Sequence, residues 1–117
     1  MKENVLVDLS KRFAVDVINI CNAVSKGRKE YVLFNQLLRS GTSIGANIYE
    51  ANYAASRADF INKLQISLKE CYESQYWLEI FKETQIISTE EYDEMYARCS
   101  KIRKLLVTSI NTAKANK

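Results

Sequence analysis

Apolar residues recur every three or four positions along four stretches of the chain, and the positions between them are mostly polar. This spacing puts the apolar side chains on one face of a 3.6-residue helix. It predicts helices over about residues 6–25, 29–55, 58–84 and 89–114. The first helix would bury Leu6, Leu9, Phe13, Val17, Ile20, Cys21 and Val24. Val15 and Ile18 fall off that face, so part of this helix is predicted to be apolar on two sides.

Short connections between the stretches carry residues that typically end or begin helices. Gly27, in the run Ser-Lys-Gly after the first stretch, is suited to the left-handed conformation of a helix C-terminus. Ser56 followed by Asp59 resembles a capping box, with Asp in place of the usual Glu. The run Ser88–Glu91 is the strongest start signal in the chain, since it combines a hydroxyl cap with acids in the first turn.

Composition favours a few long helices. The 117 residues include no proline and only three glycines, and proline is the residue that most strongly breaks a helix interior. No stretch shows the period-two alternation of a strand. Because short connections make sequential helices antiparallel, the predicted fold is all-α, an antiparallel up-and-down four-helix bundle. One domain over residues 1–117 is expected at this length.

Two glycines in the second stretch permit two interpretations. The run Ser40–Ser43 contains turn-forming residues, and residues 41–45 resemble a small phosphate-binding loop, although the Gly-Lys-Ser/Thr end of a P-loop is missing. The apolar spacing nevertheless continues across Gly41 and Gly45. We therefore predict an unbroken helix in which both glycines let a neighbouring helix come close, at a cost of roughly 1 kcal/mol of helix propensity each.

The cysteines and the lack of histidine bear on metal chemistry. Cys21, Cys71 and Cys99 are widely spaced and lie on predicted apolar stripes. We interpret them as small buried side chains, because a zinc site would need all three plus a carboxylate. Without histidine, the chain has neither the Glu-x-x-His pairs of di-iron bundles nor a base to activate a hydroxyl nucleophile.

Two pairs of carboxylates on the third helix are the remaining candidates for acid–base chemistry. Glu70 with Glu73, and Glu79 with Glu83, lie off the main apolar stripe and among lysines. Separating the two pKa values of such a pair requires burial, and we interpret these four residues as a solvated face. The chain is predicted not to be an enzyme, and to use no metal and no cofactor.

Aromatic residues are plentiful, with seven tyrosines and one tryptophan. Tyr72, Tyr76 and Trp77 cannot all point into one bundle core, and such residues are enriched at protein interfaces. A second apolar face therefore favours self-association. A polar face of the second helix, formed by Asn35, Gln36, Arg39, Ser43, Asn47 and Glu50, is suited to a subunit contact. The predicted oligomer interface consists of Arg39, Ser43, Asn47, Glu50, Tyr72, Tyr76 and Trp77.

The net charge of +3 hides an uneven distribution. Residues 58–100 carry four basic residues and nine acids, whereas residues 101–117 carry five basic residues and no acid. This asymmetry is suited to steering an anionic partner or a neighbouring subunit, although a basic tail also suits a helix C-terminus. Interleaved aromatic and basic residues can stack on unpaired bases. The residues predicted to contact RNA or DNA are Arg12, Lys26, Arg28, Lys29, Arg39, Lys101, Arg103, Lys104 and Lys114.

Two runs of the chain carry a family resemblance: residues 9–17, LSKRFAVDV, and residues 35–51, NQLLRSGTSIGANIYEA. The first looks like the opening, and the second is similar to the most recognisable stretch, of the small bacterial four-helix bundle proteins that are also called large-subunit rRNA intervening-sequence proteins. The third-helix pattern is matched at positions 58–61, 64, 68–70 and 73–78. The resemblance covers essentially the whole chain, with the last helix matching only in its apolar pattern.

The resemblance implies an antiparallel four-helix bundle, often assembled as a ring-like homo-pentamer, with no established enzymatic activity or cofactor. It also implies kinship with the accessory proteins of diversity-generating retroelements, basic barrels that contact nucleic acid and a reverse transcriptase. This chain departs from those strongly basic proteins in its acidic third helix and low net charge. Affinity for nucleic acid scales with the number of phosphates neutralised.

Two hypotheses follow from the sequence. The leading one is a non-enzymatic oligomeric scaffold whose partner is another copy of itself, and the alternative is an accessory protein that binds RNA or DNA. No run approaches the roughly 20 apolar residues of a membrane-spanning helix, and Met1–Leu9 lacks the apolar core of a signal peptide. The chain is therefore expected to be cytoplasmic, with no membrane and no small-molecule partner.

Overall fold

Four α-helices account for most of the computed structural model, which describes residues 2–29 and 31–116. The helices are α1 Lys2–Val24, α2 Tyr31–Ala51, α3 Arg57–Glu83 and α4 Thr89–Ala115. All four predicted helices are therefore confirmed. Their boundaries lie within one residue of the prediction for α3 and α4, and differ more for α1 and α2.

Each helix packs antiparallel to the next. Contacts between α2 and α3 pair late residues of one with early residues of the other: the Ser74 hydroxyl donates to Ser40 Oγ at 2.9 Å, and the Ser67 hydroxyl donates to the Ile44 carbonyl at 2.8 Å. The helix α1 contacts both α2 and α4, so the four helices close into a bundle. The prediction of an antiparallel up-and-down bundle is confirmed.

The core lies along the axis of this bundle, in a molecule about 52 Å long and 20 Å across. Residues at helical spacing from all four helices fill it, and the predicted apolar faces supply nearly all of them. Burying such side chains is the main favourable term in folding, at roughly 25 cal/mol per Å² of apolar surface. The largest fully buried side chains are Phe13, Phe81, Leu6, Leu37, Ile44, Ile48, Leu78, Ile102 and Leu106.

The two glycines of α2 lie inside a continuous helix, as predicted, and the loop interpretation is wrong. A Cβ atom at Gly41 would lie 2.9 Å from Cγ2 of Val17, and one at Gly45 would lie 3.2 Å from Oγ of Ser10. Both neighbours belong to α1. The missing side chains therefore allow α1 and α2 to approach each other more closely than larger residues would permit.

Local signals explain where the helices end. Gly27 adopts φ = 75°, as its predicted role in ending α1 requires. The Ser56 side chain accepts a hydrogen bond from the Asp59 N–H at the start of α3. At the start of α4, Ser88 and Glu91 form a reciprocal capping box. The predictions for Gly27 and for Ser88 with Glu91 are confirmed. Ser56 is confirmed as an N-cap, but among the described residues the Asp59 carboxylate makes no return bond to the Ser56 N–H, so the capping box there is incomplete.

The predicted extent of α2 is wrong at its C-terminal end. The helix ends at Ala51 rather than Ala55, and the backbone N–H groups of Asn52, Tyr53 and Ala54 instead bond to carbonyls three residues earlier. The cause is the start of α3. Ser56 caps that helix with an extended backbone, at φ = −151° and ψ = 165°, so the chain must leave the α2 conformation before residue 56.

The three cysteines are buried and unpaired, which confirms their interpretation as small core side chains. Burial raises the pKa of the Cys21 thiol to about 11. A side-chain hydrogen bond with Cys99 that favours the protonated form, together with burial, raises the pKa of the Cys71 thiol. Since the thiolate is the reactive form of cysteine, Cys21 and Cys71 stay protonated and inert at neutral pH.

The close approach of α1 and α2 predicts that Gly41→Ala destabilises the fold. Overpacking typically costs about 1–3 kcal/mol, because the branched Val17 side chain has few alternative rotamers. Alanine recovers about 1 kcal/mol of helix propensity. We expect the free energy of unfolding, measured by urea denaturation at fixed protein concentration, to fall by up to about 2 kcal/mol.

Gly45→Ala is the matched control, because its nearest neighbour is a serine hydroxyl that can rotate away. We expect it to change the free energy of unfolding by less than about 1 kcal/mol. Combining Gly41→Ala with Val17→Ala should make the glycine substitution less costly than it is alone. A Gly41→Ala protein more stable than wild type would contradict the tight contact.

Candidate interaction surfaces

A chain of polar contacts joins α2 to α3 on the outside of the bundle. The Arg39 guanidinium bonds to Glu73 and lies 3.4 Å from Oε2 of Glu70. The indole N–H of Trp77 donates to the same Glu73 carboxylate at 3.1 Å. We call these four residues the α2–α3 ladder. It exists because α2 and α3 pack closely enough for the Arg39 side chain of α2 to reach two carboxylates that lie one turn apart on α3.

Three other predicted interface residues continue this side of α2 toward its C-terminal end. The Ser43 hydroxyl donates to the Arg39 carbonyl at 2.6 Å, and the Asn47 amide donates to the Ser43 carbonyl at 2.9 Å. Glu50, one turn further on, accepts from Lys63 of α3 at 3.0 Å. The structure thus places Arg39, Ser43, Asn47 and Glu50 in one row that follows the edge of α3.

The two ladder carboxylates differ in their electrostatics. The hydrogen bond from Arg39 lowers the pKa of Glu73 below its ordinary value, with a further contribution from Trp77. Burial raises the pKa of Glu70 despite the nearby guanidinium, since its side chain keeps only 16% of its exposure. The prediction that this pair forms a solvated face is wrong, because both carboxylates engage Arg39. The prediction is confirmed for Glu79 and Glu83, which are exposed.

Beside the ladder, two tyrosines project from α3 into solvent. Tyr72 and Tyr76 are 51% and 53% exposed, and we call them the aromatic ridge. The Tyr76 ring meets the Trp77 ring edge-on, with 5.1 Å between centroids. The Arg103 guanidinium of α4 lies 5.2 Å from the centroid of the Tyr72 ring. The ridge is therefore continuous with the ladder through Trp77, and it reaches α4 through Tyr72.

The basic residues predicted to contact nucleic acid do not converge on one surface. Those of Lys26–Lys29 lie in the connection between α1 and α2, whereas Lys114 lies in the last turn of α4, at the opposite end of the bundle. Arg12 is exposed on α1, and Arg39 is engaged by the ladder carboxylates. Two separate groups of three therefore account for six of the nine: Lys26, Arg28 and Lys29 in the connection, and Lys101, Arg103 and Lys104 on one turn of α4.

Sequence reasoning missed a second apolar surface, where α1 and α2 meet on the outside. An open groove of about 210 Å³ runs between the two helices there. The Tyr49 ring borders it, and its centroid lies 5.4 Å from that of the tilted Tyr53 ring, in the turn after α2. The spacing of these two tyrosines was the available signal in the sequence. The groove itself depends on how α1 and α2 are aligned.

Within residues 2–29 and 31–116, no group of three or more Cys, Asp or Glu side chains is placed to hold a metal ion. In the same part of the chain, no helix is both long enough and apolar enough to cross a membrane.

Comparison with known proteins identifies the fold family. The profile described as 23S rRNA-intervening sequence protein matches residues 2–108, which is most of the chain. The chain belongs to this family. The resemblance noted in the sequence is thereby confirmed for the 23S rRNA-intervening sequence proteins, while kinship with the accessory proteins of retroelements stays a prediction.

A crystal structure of a protein from Bacteroides thetaiotaomicron VPI-5482 is similar to this member of the 23S rRNA-intervening sequence family. It is described as a protein of unknown function from the S23 ribosomal protein family, and it is 50% identical in sequence. The match covers 95% of this chain and 99% of the other, with a TM-score of 0.91. No curated protein matches at a significant level.

The ladder predicts opposite effects for two identical substitutions three residues apart. At pH 7, Glu73→Gln weakens the contacts with Arg39 and Trp77, and we expect the free energy of unfolding to fall by about 0.5–1 kcal/mol, the range for exposed ion pairs. Glu70→Gln removes a partly buried charge and its repulsion of Glu73. We expect it to leave stability within about 0.5 kcal/mol of wild type or to raise it. Urea denaturation measures both.

The pH dependence separates this explanation from a loss of packing. Folding lowers the pKa of Glu73. Its contribution to the free energy of unfolding is therefore present above the pKa that Glu73 has in the unfolded chain, and it is lost as pH falls through the folded-state pKa. The deficit of Glu73→Gln should therefore shrink in acid. The pKa of Glu70 is raised by folding, so its ionisation opposes folding and its effect has the opposite sign. Equal losses in the free energy of unfolding for Glu73→Gln and Glu70→Gln at pH 7 would contradict the proposed difference between the two carboxylates.

Proposed function

We propose that this chain is a non-enzymatic scaffold subunit that associates with copies of itself into a closed ring. The observation that carries the proposal is the aromatic ridge. Tyr72 and Tyr76 stay half exposed although the core of the bundle is filled by other residues. Tyrosine offers a large contact area at low cost in conformational entropy, which suits an intermolecular contact.

The α2–α3 ladder supports this proposal because it stiffens the surface next to the ridge. Trp77 is held by Glu73, Glu73 is held by Arg39, and the Tyr76 ring packs against Trp77. A surface that is ordered before association loses less entropy on binding. The ladder therefore prepares the ridge for a subunit contact, and this role also accounts for the two carboxylates without assigning them any chemistry.

Assembly predicts a molar mass well above that of one 13.5 kDa chain. Closed rings are a common form of homo-oligomer, and the family resemblance implies five copies. Light scattering coupled to size-exclusion chromatography at micromolar concentration should give about five times the chain mass. A monomer under these conditions would overturn the proposal.

Substitution of the ridge tests which surface carries the contact. Tyr72→Glu combined with Tyr76→Glu places two charges on the ridge, and we expect the dissociation constant of the assembly to rise at least about 100-fold, equivalent to about 2.8 kcal/mol. Ala97→Glu, which adds a charge at an exposed position of α4, is the control and should assemble like wild type. Circular dichroism checks that each variant keeps its helices.

A second candidate function, binding of unpaired RNA or DNA, is favoured by one contact. The Arg103 guanidinium lies over the exposed Tyr72 ring, with Lys101 and Lys104 on the same turn of α4. Aromatic rings beside basic groups are suited to stacking on bases and pairing with phosphates. Tyr72 also belongs to the aromatic ridge, so assembly and nucleic-acid binding would compete for it.

Binding to an unstructured RNA oligonucleotide, titrated with salt, tests this candidate. Three phosphate contacts would give a slope of log K against log salt of about −2. Lys104→Gln should reduce the slope by about 0.7, whereas Tyr72→Leu should weaken binding and leave the slope unchanged. Absence of binding at low salt, or a slope near zero, would exclude the candidate.

A further inference from the structure

The bundle consists of two helical hairpins, α1–α2 and α3–α4, joined by a single connection. Within the first hairpin, Gly41 lets α2 lie against α1. Within the second, the Gln75 amide of α3 donates to Oγ of Ser100 of α4 at 2.9 Å. Residues 52–56 alone join the two hairpins. The alignment of the hairpins along the bundle axis therefore depends on the contacts that cross from one to the other.

The connection does not fix this alignment by itself. Five residues in extended conformation span up to about 17 Å, whereas the axes of neighbouring helices lie about 8–10 Å apart. The spare length would accommodate a shift of the α3–α4 hairpin by one helical turn, about 5.4 Å. The Ser56 cap bonds within its own helix, so it would move with α3 and would not oppose the shift.

Packing in the middle of the α2–α3 contact is a weak guide to alignment, because the side chains of α3 there are nearly equal in size. Ser67, Cys71 and Ser74 follow one another at helical spacing and are fully buried. After a shift of one turn, Cys71 would take the place of Ser74 with little change in volume, which a core tolerates. Surface ion pairs between the hairpins, such as Asp16 with Arg98, are partly exposed, and exposed pairs contribute little.

Two buried hydrogen bonds distinguish the alignments that side-chain size does not. The Ser67 hydroxyl donates to the Ile44 carbonyl at 2.8 Å, and the Ser74 hydroxyl donates to Ser40 Oγ at 2.9 Å. All three serines are fully buried, so water cannot replace a lost partner. After a shift of one turn both hydroxyls would face other groups. Each lost bond between helices is expected to make the shifted form about fivefold less populated.

We infer that Ser40, Ser67 and Ser74 are positioning residues, whose bonds select one alignment of the two hairpins more than they add to stability. We call them the hydroxyl lock. The lock also positions the α2–α3 ladder, because a shift of one turn would carry Glu73 and Trp77 about 5.4 Å along α2. It acts within a single copy, so it is independent of the proposed assembly.

Distances between spin labels within one chain test the hydroxyl lock. Asn35→Cys on α2 and Asn62→Cys on α3 provide labelling sites at exposed positions, whereas the native cysteines are buried. Mixing labelled chains with an excess of unlabelled chains restricts the measurement to one copy. Double electron–electron resonance should give a single distance for the chain with an intact lock.

Removal of the lock should allow the shifted alignment. In the triple variant Ser40→Ala, Ser67→Ala and Ser74→Ala, we expect a second distance, displaced by about 5 Å from the first. The ratio of shifted to unshifted molecules should rise about 25-fold, about fivefold for each of the two lost bonds. The urea midpoint should change little, because both partners of the bond between Ser40 and Ser74 are removed together.

Ser10→Ala is the matched control, since Ser10 is also a buried serine but bonds within its own helix, to the Val7 carbonyl at 3.2 Å. It removes a core hydroxyl without removing a bond between helices, and it should give one distance. Ser40→Ala combined with Ser74→Ala replaces the triple variant if circular dichroism shows that the triple variant loses helical content. This double variant should raise the ratio of shifted to unshifted molecules about fivefold.

Three outcomes would overturn the inference. A single unchanged distance in the folded lock variants would show that packing and the connection set the alignment. A second distance that also appears in Ser10→Ala would show that loss of any core hydroxyl suffices. Loss of helical content in both lock variants would show that the serines act in stability instead. A monomeric wild type would overturn the proposed function and leave the hydroxyl lock standing.

Discussion

The close approach of α2 to both of its neighbours is the constraint on which the other surfaces depend. Gly41 and Gly45 bring α1 against one side of α2, while the hydroxyls of Ser67 and Ser74 bond to groups of α2 on the other side. Small residues and buried hydroxyl hydrogen bonds permit this short distance between helices, which larger side chains would prevent. Since α2 cannot shift toward one neighbour without losing contact with the other, its position fixes the register of three helices.

The sequence stretch from Arg39 to Glu50 combines two kinds of residue for this reason. Its small residues face inward and set the spacing of the helices, while its long polar residues lie at the edge and reach α3. Arg39 meets two carboxylates only because the backbones are already close. The stretch that most resembles the 23S rRNA-intervening sequence family is thus explained by packing and surface order together, with no need for chemistry at the glycines.

Signals within a few residues of each other made the fold predictable. The surface contacts were not predictable, because they depend on how neighbouring helices align. Periodic apolar residues and caps such as Ser88 act within a few residues, so they can be recognised in one sequence. The predicted C-terminal end of α2 was wrong because Ser56, the N-cap of α3, has an extended backbone, and the chain must leave the helical conformation before it. Which carboxylates oppose Arg39 depends on contacts between α2 and α3, and the groove that Val7 and Tyr49 line depends on the alignment of α1 with α2. Neither alignment is visible in sequence spacing.

The separation of core from surface supports the proposal that this molecule assembles. Removing Tyr72 or Tyr76 of the aromatic ridge would leave the bundle core intact, because these rings contribute little burial within one copy. Exposed aromatic rings give a single bundle no stability that polar residues would not give, yet they increase the risk of nonspecific association. The half-exposed rings of the aromatic ridge are accounted for if a second copy covers them, which is what the proposed assembly requires.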